Sequence, residues 1–268
     1  MNRAPRVLVP VGFGLNCEAE TAHAFRLVGA EVDLVHLTDL FARRNARPIP
    51  DYDAMAFIGG FAYGDHIASG VVLATRIRAH LREELSAFLG KGGLVVGICN
   101  GFQTLVRLGL LPGPDAGPAD FVPRAALTNN DRLGYRNAWV RLSVDANTRC
   151  VWTRGLDTLD VPARHGEGKF LAESSDVLAR FEREGRIAFR YVDESGRATE
   201  AWPENPNGSP GGVAGVCDMS GRVLGLMPHP EAFLAPYVHP DWRHRRAELE
   251  RSTPAGLAVF RAGLESLG

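Results

Sequence analysis

Apolar and polar positions follow two regimes along the chain. From residue 6 to residue 111, short runs that are apolar throughout alternate with longer stretches of helical spacing. Arg6 to Val11 is β-branched and apolar, the signature of a buried strand. Glu18 to Val28 carries Ala19, Ala22, Phe25 and Leu27 at helical spacing, and Gly29 stands where a helix stops. Val32 to Leu37 and Ala54 to Ile58 read as two more strands. Val71 to Leu89 is a long amphipathic helix ending at Gly90, and Leu94 to Ile98 is a fourth strand feeding a helix from Gly101. Fully apolar strands separated by such helices predict a mostly parallel sheet covered on both faces, an α/β fold.

The pattern changes after residue 111. Pro112 to Pro123 is a Gly/Pro-rich loop, and PENPNGSPGG (203 to 212) is turn chemistry throughout. Ala138 to Val144 and Arg186 to Val192 alternate as antiparallel strands do. Val213 to Met219 and Arg222 to Leu226 form a hairpin pattern around Ser220-Gly221, and Pro254 to Leu267 is a closing helix. HRRAELER (244 to 251) reads as a solvated helix face. No repeat or low-complexity segment interrupts the chain, so one domain over 1–268 is expected, with antiparallel strands added to the parallel sheet in its second half.

Composition narrows the class. The formal net charge of −1 on 268 residues offers no global positive field for nucleic acid or an anionic membrane surface. No window approaches the roughly 20 apolar residues of a membrane span, and the apolar start is too short and too broken for a signal peptide. Cys17, Cys99, Cys150 and Cys217 lie far apart without a C-x-x-C pair, against both a metal cluster and a disulfide framework. A reducing, cytoplasmic compartment is expected, and no metal site.

Candidate chemistry gathers at one corner. Gly97-Ile98-Cys99-Asn100-Gly101 joins strand to helix with almost no room to turn. Such an elbow at the carboxyl end of a parallel strand projects one side chain into the ligand crevice. The flanking glycines would relieve crowding and permit unusual backbone angles. The amino end of the next helix favours a thiolate and offers N–H groups to an oxyanion. Free cysteine is also a common core residue, so a base is needed to choose between the two readings. His229 provides one: it follows a strand in Met227-Pro228-His229-Pro230-Glu231, and in an extended segment Glu231, two residues on, would face the same way and orient the ring. His36, His66, His80 and His244 lack such a setting and read as structural. Gly59-Gly60-Phe61, at another strand end, would bring a second set of backbone amides to the oxyanion. Cys17 reads as structural, for want of a base of its own, and Cys150 and Cys217 as core.

GICNGFQ (97 to 103), GGFAYGD (59 to 65), HGEG (165 to 168), PENPNGSPGGVAGVCD (203 to 218) and GRVLGLMPHPE (221 to 231) together resemble the PurQ-type family of class I glutamine amidotransferases, the glutaminase subunits of phosphoribosylformylglycinamidine synthase. The resemblance runs from about residue 6 to the closing helix and implies the flavodoxin-like fold of that class. It implies Cys99 as the nucleophile on L-glutamine, His229 as base and acid, and Glu231 as its orienting group. Gly60, Phe61 and Asn100 would form the oxyanion hole, and Gly59, Gln103, His165 and Gly166 the glutamine pocket. It implies no cofactor in this subunit, ATP and Mg being used by a partner synthetase subunit that turns formylglycinamide ribonucleotide (FGAR) into formylglycinamidine ribonucleotide (FGAM). A small bridging subunit is a further candidate partner. Ile58, Ala62 and Ala232 stand where the family usually has Pro, Ser and Arg. The segments 38–50, 112–123 and 233–253 are longer than in compact members.

Two other classes fit parts of the pattern: a stand-alone thiol hydrolase of similar architecture, and a catalytically silent regulatory subunit. Gln103 and the Pro-His-Pro-Glu run favour the amidotransferase, and intact Cys99, His229 and Glu231 speak against a silent subunit.

Overall fold

The structure, a computed structural model, describes residues 3–251 and 253–268. Residues 1, 2 and 252, which fall within the expected domain span 1–268 and, for the last, within the 233–253 segment, lie outside it. Strands β1 (Arg6–Val11), β2 (Glu31–His36), β3 (Ala54–Phe57) and β4 (Leu94–Ile98) are parallel, in the order β2-β1-β3-β4. Helices α1 (Glu18–Leu27), α2 (Leu37–Phe41), α3 (Val71–Gly90) and α4 (Asn100–Leu108) connect or follow them. β3 and β4 are buried at every position, as expected for a sheet covered on both faces.

The second half extends the same sheet. Its elements are β5 (Ala125–Asn129), β6 (Arg136–Val144), β7 (Thr158–His165), β8 (Glu167–Ala172), α5 (Ser175–Arg183), β9 (Ile187–Tyr191), β10 (Val213–Cys217), β11 (Val223–Leu226), α6 (Trp242–Leu249) and α7 (Ala255–Glu265). β11 pairs in parallel with β4, and β10, β9, β6 and β7 continue outward antiparallel, giving nine strands. β5 and β8 form a separate ribbon. The 213–226 hairpin forms as the pattern implies, with Val216 opposite Gly225.

Four elements of the middle region go beyond the pattern: β5, β7, β8 and α5. β7 hides because Pro162 interrupts its run; a proline is tolerated there since β7 is the outer edge of the sheet. α6 covers most of the charge run, yet Arg245 turns inward to Asp160 of β7 at 3.1 Å while Leu249 is buried. Among the described residues, no helix is long and apolar enough to cross a membrane.

Three glycines set how close α4 sits to the sheet. Gly97 and Gly225 are register partners on β4 and β11. A Cβ on Gly225 would overlap Phe102, one on Gly97 would press Leu105, and one on Gly101 would overlap the carbonyl of Phe57. The carboxyl ends of β3, β4 and β11 are thereby drawn together, and the loops leaving them face one cavity.

Candidate active site

Cys99 occupies the corner between β4 and α4 with φ 52° and ψ −107°, a conformation that costs a non-glycine residue of order 1–3 kcal/mol. The strain therefore sits on the cysteine itself. Gly97 and Gly101 do not take positive φ, contrary to the expectation of unusual glycine angles; they serve close packing. The Cys99 N–H donates to Leu226 O at 2.9 Å, and its thiol lies 3.5 Å from Arg164 O, on a cavity of about 310 Å³. A wider cleft, about 560 Å³, runs past Asp160, Arg245 and Arg261; it contains no thiol and its Arg245 is already paired.

His229 reaches the same cavity from the end of β11. Its N–H donates to Pro162 O of the edge strand at 2.7 Å, and Nδ1 lies 2.6 Å from Glu231 Oε1. The contact with Glu231 is as expected, but its geometry is not. Pro230–Ala232 is a single tight 3₁₀ turn, so the carboxylate swings back under the ring instead of alternating along an extended segment. Both side chains are buried. Burial opposes charge on His229, but the Glu231 carboxylate and the Cys99 thiol beside it outweigh burial and hold its pKa well above the ordinary value. With Nδ1–H given to Glu231, Nε2 is the atom free to exchange a proton, and it has no partner among the described residues.

The amides divide differently from expectation. Leu15 and Gly60 form an isolated antiparallel bridge, in which Asn16 N–H donates to Gly59 O and Phe61 N–H to Gly14 O, at 2.9 and 2.8 Å. The Phe61 amide is thus spent on the neighbouring loop, a correction to its place in the oxyanion set. The Gly60 N–H, across a trans peptide from the Gly59 carbonyl, points the opposite way. The Asn100 N–H, in the first turn of α4, is one that a helix leaves without an intrahelical partner. Gly59 needs a second correction: it does not line the cavity. A Cβ there would stand 2.9 Å from His229 Cε1, so the glycine is the floor on which the imidazole rests.

Gln103, His165 and Gly166 do line the cavity. The Gln103 amide accepts from Asn100 Nδ2 at 3.1 Å and donates to the Glu167 carbonyl. His165 is buried, with Nδ1 3.1 Å from Asn130 Oδ1. Asn130 Oδ1 also accepts from Gly168 N–H, and Asn130 Nδ2 donates to His165 O, which fixes the amide's orientation. Nδ1 therefore carries the proton, and Nε2 is a bare acceptor without a partner among the described residues. Burial, with the His229 charge adding to it, pushes its pKa down to about 3.

Seven lining residues escaped the sequence reading: Asn16, Cys17, Asp65, Ser69, Tyr135, Arg164 and Glu167. Cys17, expected to be structural, sits at the start of α1 with φ 67° and lines the cavity; its thiol and ligating atoms of His229 and Glu231 lie within 4.8 Å of one another. Burial raises its pKa, with His229 pulling the other way. Asp65, Arg164 and Glu167 also line it. Asp65 and Glu167 stood in the motifs GGFAYGD and HGEG, where an ionisable side chain beside motif glycines was the available signal. A thiol and a carboxylate-backed imidazole on one cavity can carry out nucleophilic acyl transfer.

Comparison with known proteins agrees with this geometry. Residues 4–265 match the family profile of the CobB/CobQ-like glutamine amidotransferase domain. The chain is 39% identical over 249 residues to phosphoribosylformylglycinamidine synthase subunit PurQ of Methanococcus maripaludis strain C7, covering 92% of this chain and 89% of the relative. It is also 39% identical over 247 residues to the protein of the same name from Dehalococcoides mccartyi, covering 92% and 91%. The structure superposes on a chain of PurLQS from Thermotoga maritima with a TM-score of 0.72 at 28% identity, over 99% of this chain and 100% of that one. A glutamine amidotransferase from Thermotoga maritima shares the fold at 16% identity and a TM-score of 0.56.

Proposed function

The chain belongs to the PurQ family of class I glutamine amidotransferases, and from that membership we propose that its cavity is the glutaminase centre of phosphoribosylformylglycinamidine synthase. It hydrolyses L-glutamine and hands the ammonia to a synthetase subunit, which converts FGAR to FGAM. The observation that carries the reading is a thiol on a strained elbow, sharing one cavity with an imidazole backed by a buried carboxylate.

The roles follow from the geometry. The proton of the Cys99 thiol rests on His229 Nε2, and the sulfur attacks the side-chain amide carbon of glutamine. The amide oxygen becomes an oxyanion facing the N–H groups of Gly60 and Asn100. Collapse breaks the C–N bond, His229 returns the proton to the departing ammonia, and a glutamyl thioester remains on Cys99. Water, deprotonated by His229, adds to the thioester; glutamate leaves and the thiol is restored. Glu231 holds the ring in the tautomer this needs. No step draws on a cofactor in this chain, so ATP and Mg belong to the synthetase half. The four free thiols suit a reducing cytoplasm.

The test is Cys99→Ala in the complex with the synthetase subunit. FGAM formation from glutamine should fall to background while formation from ammonium salts continues. Glutamine-dependent turnover that survives the substitution would remove Cys99 from the mechanism.

A further inference from the structure

Glutamine hydrolysis uses the Nε2 edge of the His229 ring, and near the other edge stands a thiol that the reaction leaves idle. Cys17 is brought there by the loop ahead of α1. Asn16 N–H donates to Gly59 O at 2.9 Å, and Thr21 N–H donates to Cys17 O at 3.0 Å. The residue is thus held between the end of β3 and the first turn of the helix. A Cβ built on Gly59 would stand 2.9 Å from His229 Cε1, 3.6 Å from Nδ1 and 3.7 Å from Cys17 Sγ. The missing side chain therefore leaves one gap, bounded by the Nδ1 edge of the imidazole and by the thiol. Glu231 lies on that same edge, with Oε1 2.6 Å from Nδ1.

Two observations mark this gap as a place for a cation. Cys17 Sγ, a His229 ring nitrogen and a Glu231 carboxylate oxygen lie within 4.8 Å of one another, a clustering unique among the described residues. Glu231 Oε2, in addition, is buried without a partner among the described residues, although a carboxylate oxygen taken out of water calls for one. Cys17 itself makes only a weak contact with Asn16 Oδ1 at 3.2 Å and is half-buried on the cavity, so an ion reaches it from there.

Bond lengths and donor types decide which ion fits. Zinc takes a thiolate at about 2.3 Å and imidazole or carboxylate at about 2.0–2.2 Å, so its tetrahedral ligands sit about 3.5 Å apart. The present set has to close by roughly 1 Å, a side-chain adjustment. Magnesium and calcium, which are held by oxygen alone, find a single carboxylate here.

We propose that Cys17, His229 and Glu231 form an inhibitory zinc site that switches off the glutaminase centre. The ion binds Cys17 Sγ, His229 Nδ1 and a Glu231 oxygen, with water as fourth ligand. The Cys17 thiol proton and the Nδ1 proton leave to solvent as the dication enters, so the charge of the cluster is unchanged and nothing is oxidised or reduced. The inhibitory role rests on the glutaminase reading. With metal on Nδ1, the ring keeps its remaining proton on Nε2. Giving that proton to departing ammonia would leave a metal-bound imidazolate, and Glu231 no longer backs the ring. Glutamine turnover stops, while Cys99 keeps its place on the elbow.

Cobalt, which accepts the same donors and absorbs when a thiolate binds it, is the probe on the full chain. The wild type should show thiolate-to-cobalt charge-transfer absorption in the near ultraviolet, displaced by zinc. Cys99→Ala should keep it. Cys17→Ser should lose it, with affinity down more than about 100-fold, since an outer-shell contact alone is worth about 10- to 100-fold. In the complex with the synthetase subunit, free zinc about tenfold above its Kd should lower FGAM formation from glutamine about tenfold. Formation from ammonium salts should hold. The Cys17→Ser complex should use glutamine at the wild-type rate and ignore zinc, which also shows that the variant is folded. Absorption that survives Cys17→Ser, or that Cys99→Ala removes, overturns the site. So do the absence of a charge-transfer band and equal zinc inhibition of wild type and Cys17→Ser. A metal-free wild-type complex unable to use glutamine would instead overturn the glutaminase reading, and the cobalt spectrum would still decide the site.

Discussion

His229 and His165 line one cavity, and their surroundings hold them in opposite charge states. Glu231 keeps a proton on the first, whereas burial and the amide of Asn130 keep the second neutral. The sign of the stability effect follows for His165. Its folded pKa of about 3 lies below the unfolded value of about 6.5, so between those limits the unfolded chain binds a proton that the native one refuses. Its share of stability is intact above about pH 6.5 and is lost as pH falls toward 3, by about 1.4 kcal/mol per unit. Between pH 7 and pH 5 the wild type should therefore lose about 2 kcal/mol more than His165→Asn, measured by denaturant unfolding at both values. Equal losses would show that His165 charges freely in the native state. At this scale, legibility depended on sequence distance. Glu231 was readable as the partner of His229 because both stand in one motif. Asn130 was not readable as the partner of His165, because the β5–β8 ribbon, unseen in the pattern, is what brings them together.

The elbow shows how an element can be read correctly for a partly mistaken reason. Strand, corner and helix were plain from the run Leu94–Ile98 and the glycines around Cys99. Those glycines were expected to supply backbone freedom; the structure uses them for contact, and places the unusual angles on the cysteine. Sequence periodicity reports which face is apolar but not how near two elements come. Gly101→Ala would drive a Cβ into the Phe57 carbonyl, where no rotamer can yield, and should cost at least about 3 kcal/mol in urea unfolding. Gly90→Ala, at the end of α3 with nothing near its Cβ, should stay within about 0.5 kcal/mol. A loss at Gly101 no larger than that at Gly90 would mean that the approach of α4 to the sheet does not govern the corner.

Over the whole molecule, the parallel half was legible and the antiparallel half only in outline, because its edge strand β7 carries a proline and β5 and β8 form a ribbon of their own. The added segments were visible as loops, but their anchors were not. Residues 112–123 are tied down by Arg186, a fully buried guanidinium that bonds the carbonyls of Pro112 and Gly113 and pairs with Asp115 at 2.8 Å. The 233–253 segment is held to β7 through Arg245 and Asp160. Only the assembled sheet reveals these pairings, since each joins residues more than 70 positions apart. The same assembly divides the four thiols into two populations. Cys17 and Cys99 open on the cavity, whereas Cys150 and Cys217 are buried against each other. A small neutral alkylating reagent should add two groups to the native chain and four in denaturant, counted by intact mass. Three or more on the native chain would contradict the burial of Cys150 and Cys217. Half of the cysteines thus serve as an internal gauge of unfolding, and the other half as a gauge of site occupancy, so one mass spectrum taken with glutamine present reads both.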